Sequence, residues 1–474
     1  MNKNNKQIAI IGAGLTGLGA AYKLLPGDFD VQIFEANDFV GGFAASIKYK
    51  DCTFDYGPHA FHASSKKMLQ FFMDLMGDEV LILKKSVKIS FQNKKYDYPM
   101  KPVNLLVNLN KKQLLSCMTS FLRQMVFPDN RSADKSLEQL YVSLYGRKLY
   151  ELFFENYTEK VWGFHPNSLS NVFLKYRLPN KNLLQLGIQS ILNSLGLQKR
   201  KLTKNNIIIS QYYPKYGSGQ FPLKLQEKII KNGGNIHLNS TVSKIVLENN
   251  RIKEIVFNSN GKLHSHKSDI YITSIPITDI IRLIEPSVPD SIDKAASQLK
   301  YRAILIFCLV LDLDKILDSD YLYFHHQIFN RVGQMNSFSK AASPHGKTAL
   351  TVEITCFPED DIWNEDEENL LVKIIDGLGS EGYDIKDKID GYFVLRSKYG
   401  YPIPTLNYED SLIKLFKYLN SIPNLYVGGR QALFTYIQMF QALQMGFKIA
   451  DSISENEIKP SFEKSTEKEF PLFV

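Results

Sequence analysis

The sequence predicts an α/β protein in which one parallel-sheet domain is interrupted by a helical insert and an antiparallel-sheet insert. Three observations carry that expectation. A strand, a glycine-rich turn, a helix and a second strand follow one another within residues 7–35. Strand-and-helix segments of the same kind recur at 222–277 and 424–450. Between them lie a long stretch of helical periodicity and a stretch in which apolar and polar residues alternate. At 474 residues the chain also exceeds the roughly 250–300 residues that a single core sustains.

Residues 7–11, QIAII, form a short apolar run suited to a strand buried on both faces. Gly12-Ala13-Gly14-Leu15-Thr16-Gly17 follows at once, and LGAAYKLL carries helical spacing up to the stop signal Pro26-Gly27. VQIFE (31–35) is the second strand and ends in Glu35. ISFQNKKYDYPM, through Met100, reads as a hairpin turning near Asn93. Residues 104–200 repeat Leu and Phe at i, i+3 and i+4, the pattern of helices with one apolar face. FPLKLQEKIIKNGG, from Phe221, is an amphipathic helix closed by glycines. The strands around Val242 and Ile255 join through Asn249-Asn250, and YITSIPI (271–277) is another buried strand. Residues 300–356 alternate and predict the antiparallel sheet, and NLYVGGR (424–430) is a strand with a glycine turn before the last helix. The expected boundaries are 1–65, 206–288 and 399–452 for the interrupted domain. They are 66–205 for the helical insert, 289–398 for the sheet insert and 453–474 for a polar tail.

Composition excludes several classes. The chain is 44% hydrophobic and 22% charged, ordinary for a globular protein and unlike a disordered one. A net charge of +8, spread thinly, is too dilute to argue for nucleic acid on its own and suits a local anion site, so no nucleic-acid partner is expected. The four cysteines lack CxxC spacing, so neither a zinc knuckle nor a disulfide framework is expected. No apolar run reaches the roughly 18–20 residues of a membrane span. The basic, then apolar, N-terminus has the outline of an export signal, but its glycines follow a phosphate-loop pattern and the chain runs on into a strand. A cytoplasmic enzyme is expected. EDDIWNEDEEN (359–369) reads as a solvated loop and helix start, with no His to suggest a metal, and no metal site is expected.

The first fifty residues have the parts of a dinucleotide site in the required order. Gly12 permits the tight turn, Gly14 lets the backbone approach a pyrophosphate, and Gly17 allows helix and strand to pack closely. The pyrophosphate would lie on the N–H groups at the helix start, and Glu35 would hold a ribose hydroxyl. Glu rather than Arg there disfavours a 2′-phosphorylated cofactor but does not separate NAD from FAD. Gly41-Gly42 adds to this, because ExxxxxGG after the second strand resembles the FAD-dependent amine oxidase and protoporphyrinogen oxidase superfamily. The resemblance implies FAD in a discontinuous Rossmann-type domain.

Within that superfamily the chain resembles the UDP-galactopyranose mutases in three blocks: YGPHAFH (56–62), ENYTEKVWG (155–163) with RLP (177–179), and Gly429-Arg430 with Tyr436 and Met439. The segment after RLP departs from the family, as do Gln438 and Phe440 at positions acidic in it. The likeness implies a pyranose/furanose interconversion of a nucleotide-diphosphate sugar on reduced flavin, in surface polysaccharide synthesis, and calls for a partner that reduces the flavin. Arg177, Arg331, Tyr401 and Tyr436 are the catalytic candidates, arginines and tyrosines suited to a diphosphate. The implied cofactor contacts are Gly12, Gly14, Gly17, Glu35, Gly41, Gly42, His59, Val242, Gly429, Arg430 and Met439; Tyr157 and Trp162 would flank the nucleotide base. His62 is expected to be structural. Two other functions stay open. One is an FAD-dependent oxidoreductase, such as an amine oxidase, protoporphyrinogen oxidase or desaturase. The other is a flavin-binding protein that docks a partner, for which the basic stretch 199–204 is a candidate.

Overall fold

A computed structural model describes residues 5–57, 59–62, 65–84, 86–98, 100, 102–127, 136–171 and 211–455. Arg177, the RLP motif, the basic stretch at 199–204 and the tail from 456 lie outside the described residues.

Five parallel strands form one sheet, in the spatial order Leu425–Val427, Ile270–Thr273, Lys6–Ile11, Phe29–Phe34 and Asn235–His237. Its members come from three distant parts of the chain. Ile8, Ala9 and Ile10 are fully buried because both faces are covered, one by the helices Leu15–Leu24, Gln220–Lys231 and Met439–Ser454, the other by the strands Ser240–Glu248 and Arg251–Ser259 with the helix Tyr408–Asn420. The helices Leu15–Leu24 and Met439–Ser454 cross so closely that a Cβ on Gly446 would lie 2.2 Å from the Thr16 carbonyl oxygen. The Thr16 hydroxyl donates to the Ala442 carbonyl at 2.8 Å, tying the end of the chain to its beginning.

The second large sheet has seven strands, in the order Ile389–Pro402, Tyr301–Leu311, Thr348–Cys356, Arg331–Gln334, Tyr321–Phe324, Val87–Phe91 and Lys94–Asp97. All neighbours are antiparallel except Tyr321–Phe324 with Val87–Phe91. The sheet is wider than 289–398, since the hairpin at 87–97 joins its edge. Gln92 and Asn93 turn that hairpin with φ of 51° and 57°, the left-handed pair that a two-residue loop favours. Every residue of Tyr301–Leu311 and Thr348–Cys356 is buried. Leu370, Ile374 and Leu378 of the helix Glu367–Ser380 cover one face. Phe54, Tyr213 and Phe338 cover the other. Asp366 caps that helix through the N–H groups of Glu368 and Asn369, which accounts for part of the acidic run. No cluster of metal-ligating side chains occurs among the described residues, and no helix among them is long and apolar enough to cross a membrane.

Candidate active site

A cavity of about 730 Å³ opens between the carboxyl ends of the parallel strands and the face of the seven-stranded sheet, the place where open α/β sheets hold ligands. One end is backbone. Gly12 turns with φ +100°, and Gly17 packs beneath it with its Cβ position 2.1 Å from the Gly12 carbonyl oxygen. A Cβ on Gly14 would instead meet nothing within 4 Å, and one on Gly42 would meet only the Gly14 Cα, at 3.7 Å. The two glycines therefore face a space that no side chain fills. Gly41 bridges to Gly14 and donates its N–H to the Ala13 carbonyl, which lays the second glycine pair along the first turn. Glu35 is buried at the end of its strand. One carboxylate oxygen accepts the Ala13 N–H at 2.7 Å, and the other accepts the backbone and side-chain N–H groups of Asn37 at 3.0 and 2.7 Å.

The other end is built from side chains. Arg331 and Glu353 face each other across neighbouring strands in register. They form a forked pair, Nε to Oε1 at 2.8 Å and Nη2 to Oε2 at 2.6 Å. Burial opposes the charge on Arg331, but Glu353 holds it well above its ordinary pKa, so it stays a cation. Gly57, at φ +126°, lets the backbone pass this pair: a Cβ there would lie 3.2 Å from both Arg331 Nη2 and Glu353 Oε1. Arg430 donates to the Gly400 carbonyl at 2.8 Å and stacks over Tyr436 at 4.3 Å, with Phe43 and Tyr401 at 5.5 and 5.6 Å. Its buried Nε has no partner among the described residues. Tyr56, Tyr321, Tyr323, Tyr401 and Tyr436 complete the wall. Burial pushes Tyr56 and Tyr321 up to about 12 and lifts Tyr323 and Tyr401 too, so these hydroxyls remain protonated donors.

His59 lies between the two ends. Burial, helped by Arg430 and Arg331, pushes its pKa down to about 4, and its Nε2 sits 3.3 Å from the Tyr56 carbonyl. A base whose folded pKa lies below its unfolded value is protonated first in the unfolded chain. Stability therefore falls as pH drops from about 6.5 towards about 4, and the loss levels off below. Urea unfolding across that window should show an acid-side slope that His59→Asn flattens; an unchanged slope would assign the window to other groups.

Of the expected site residues, Gly12, Gly14, Glu35, Gly41, Gly42, His59, Arg331, Tyr401, Gly429, Arg430, Tyr436 and Met439 line this one cavity, and His62 does as well. Gly17 serves from beneath the turn. Three are placed differently. Val242 pairs with Phe257 and turns into the core beside Ile245, because strand alternation directs it away from the cavity. Tyr157 and Trp162 stand one layer behind the wall, 5.7 Å from the Tyr323 ring and 5.9 Å from the Tyr401 ring. They brace those tyrosines. The helix that carries them is anchored by Lys160, whose ammonium donates to the carbonyls of Phe324, Gln327 and Phe329. Glu353, Tyr56, Tyr321 and Tyr323 were not foreseen as site residues. For Glu353 a signal existed: a lone acid inside the apolar strand TALTVEITC must be paired.

The sequence pattern of flavin containing amine oxidoreductases matches residues 15–453. The chain belongs to that family. A probable UDP-galactopyranose mutase of Klebsiella pneumoniae is 29% identical over 184 residues, 37% of this chain and 46% of that protein. The chain thus aligns with about half the length of that relative. A 4,4'-diapophytoene desaturase of Methylomonas sp. is 24% identical over 80% of this chain and 79% of its own. Among solved structures, reduced UDP-galactopyranose mutase superposes with TM-score 0.81 at 20% identity over 96% of both chains. Cyclohexylamine oxidase from Brevibacterium oxydans superposes with TM-score 0.64 at 15% identity, over 95% of this chain and 99% of that one.

FAD is the cofactor of this flavin-containing oxidoreductase family member, and the residues present fit it. The space opposite Gly14 and Gly42 is a cradle that a Cβ would enter. Among the described residues no side chain caps the start of the helix Leu15–Leu24, and its first N–H groups are donors of the kind that hold a pyrophosphate. Glu35 keeps lone pairs for a ribose hydroxyl.

Proposed function

We propose that this chain is a nucleotide-sugar mutase that exchanges pyranose and furanose rings on reduced FAD. The observation that carries the reading is the far wall of the FAD cavity, where Arg331 and Arg430 stand among protonated tyrosines. When bound and reduced, FAD supplies a nucleophile for the anomeric carbon without net redox change. The protein's part is to hold the departing diphosphate so that it can recombine. Arg430 offers its unpartnered Nε, and Arg331, set at a fixed angle by Glu353, offers the edge that the carboxylate leaves open. Tyr401 and Tyr436 add hydroxyl donors and no further charge. Neutral His59 can donate or accept one hydrogen bond without adding a third cation.

The expected result is that anaerobic, dithionite-reduced protein converts a UDP-hexofuranose into the pyranose, and that the oxidised protein does not. Chromatography of the sugar nucleotides reads this directly. No conversion of any UDP- or dTDP-hexose under reducing conditions would sink the mutase reading. The length of the desaturase alignment supports a second reading, an FAD-dependent oxidoreductase acting on a carbon skeleton. In that case anaerobic substrate bleaches the flavin and oxygen restores the colour.

A further inference from the structure

Ten of the eighteen large apolar side chains that stand exposed among the described residues fall within residues 98–127. Eight of these ten sit on two consecutive helices, Pro102–Asn108 and Lys111–Val126, far in sequence from the cavity-lining segments of the parallel-sheet domain; Tyr98 lines the cavity instead and Phe127 follows the second helix. On the first helix Val103, Leu106 and Val107 are 56, 55 and 74% exposed at i, i+3 and i+4. On the second, Leu115, Met118, Leu122 and Met125 are 65, 50, 56 and 46% exposed. With 3.6 residues per turn these four and Val126 share roughly 100° of arc. The inner side of the pair is properly buried, through Leu105, Leu109 and Cys117 against Phe91 and Phe153. The outward face is therefore apolar by composition.

Charge says what covers it. Neither helix contains an acidic residue, whereas Lys111, Lys112 and Arg123 are exposed on the second. Lys111 lies in line with the apolar stripe, at its start. Lys112 and Arg123 fall just beyond one margin, roughly 100° and 120° round from Lys111. Apolar groups in the middle with lysine and arginine at the edge match the boundary of an anionic bilayer, where apolar side chains enter the acyl region and the cations reach phosphate. A second copy would set the same cations against their own images, with no carboxylate on either helix. The chain's own segment 172–210 carries seven basic and no acidic residues, so it supplies no counter-charge either.

We propose that the face formed by Pro102–Asn108 and Lys111–Val126 docks the enzyme reversibly on an anionic phospholipid surface. This inference is independent of the substrate assigned above. The test is flotation of the full-length, FAD-loaded protein with phosphatidylcholine vesicles, with and without about 30% phosphatidylglycerol, at low and at about 0.5 M salt. Binding is expected only with phosphatidylglycerol and should weaken with salt. Lys111→Ala with Lys112→Ala should weaken it about 25-fold, at about fivefold per basic residue near the surface. Leu115→Glu with Leu122→Glu should abolish it, while flavin content and melting temperature stay at wild-type values, because both leucines are exposed. Absence of wild-type binding to the anionic vesicles overturns the proposal, as does undiminished binding by the Leu115/Leu122 variant. A dimer in ultracentrifugation that this variant dissolves, without vesicle binding, overturns it in favour of a second copy.

Discussion

Gly17→Ala should purify colourless and unstable, whereas Gly14→Ala should purify stable and flavin-poor. The two glycines lie three residues apart in one turn, yet they face different constraints. A methyl on Gly17 would sit 2.1 Å from the Gly12 carbonyl oxygen and 3.1 Å from Ile10. Relief requires the helix Leu15–Leu24 to lift off its strand. The helix cannot lift freely, because Gly446 of the last helix already rests against Thr16 on another side. The clash therefore spreads into the contact between the chain's two ends, and a fall in melting temperature of about 10 °C or more is expected. A methyl on Gly14 meets no protein atom within 4 Å. It costs the fold nothing and instead occupies the room that the pyrophosphate needs. Melting curves and the ratio of flavin to protein absorbance separate the outcomes. If Gly14→Ala retained its full complement of FAD, the pyrophosphate would not pass where the open space indicates.

The second large effect is expected at Arg331 and Glu353. Glu353 is 3% and Arg331 17% exposed, so each charge depends on the other. Glu353→Leu leaves a buried guanidinium without its partner and should cost about 3–5 kcal/mol of stability. Replacing both, as Arg331→Met with Glu353→Leu, should recover most of that loss, since a buried ion pair adds little over well-packed apolar groups. Turnover should not recover. Arg331→Met, alone or in the pair, should remain about 100-fold or more slower, the scale for losing one oriented donor to developing charge. Denaturant unfolding and single-turnover kinetics of the four proteins give the cycle. If the double variant were as unstable as Glu353→Leu, the pair would be a packing unit rather than mutually dependent charges.

The acid-side behaviour of His59 is linked to the same pair. Arg331 and Arg430 both depress its pKa, after burial. Removing Arg331 should therefore raise the folded pKa of His59, so that the acid-side loss of stability levels off at a higher pH and is smaller in total, a smaller effect than either stability change above.

The cofactor end of the site was legible in contiguous residues because its constraints are local. A turn that needs φ of +100° at Gly12, a glycine under it and an acid at the end of the next strand are all specified within residues 12–35. The parallel sheet was legible for a related reason: apolar strand runs bounded by helices reveal themselves one at a time. The hairpin at 87–97 was recognised as a hairpin, but its place at the edge of a sheet formed mostly by residues 301–402 was not, since strand period says nothing about partners. The same holds for the arginine and tyrosine wall of the cavity. Arg331 was singled out, but its dependence on Glu353 arises from the register of two strands, and register is set by side-chain packing across the sheet. Tyr157 and Trp162 belong to a block whose likeness suggested contact with a substrate, and the packed layer of Tyr323 and Tyr401 stands in front of them. Residue types and short spacings thus carried the fold class, the cofactor and many of the residues that line the cavity. Which charges pair, which rings face the cavity and which stand behind it came from long-range packing, because burial and strand register are properties of neighbours that the chain brings from hundreds of residues away.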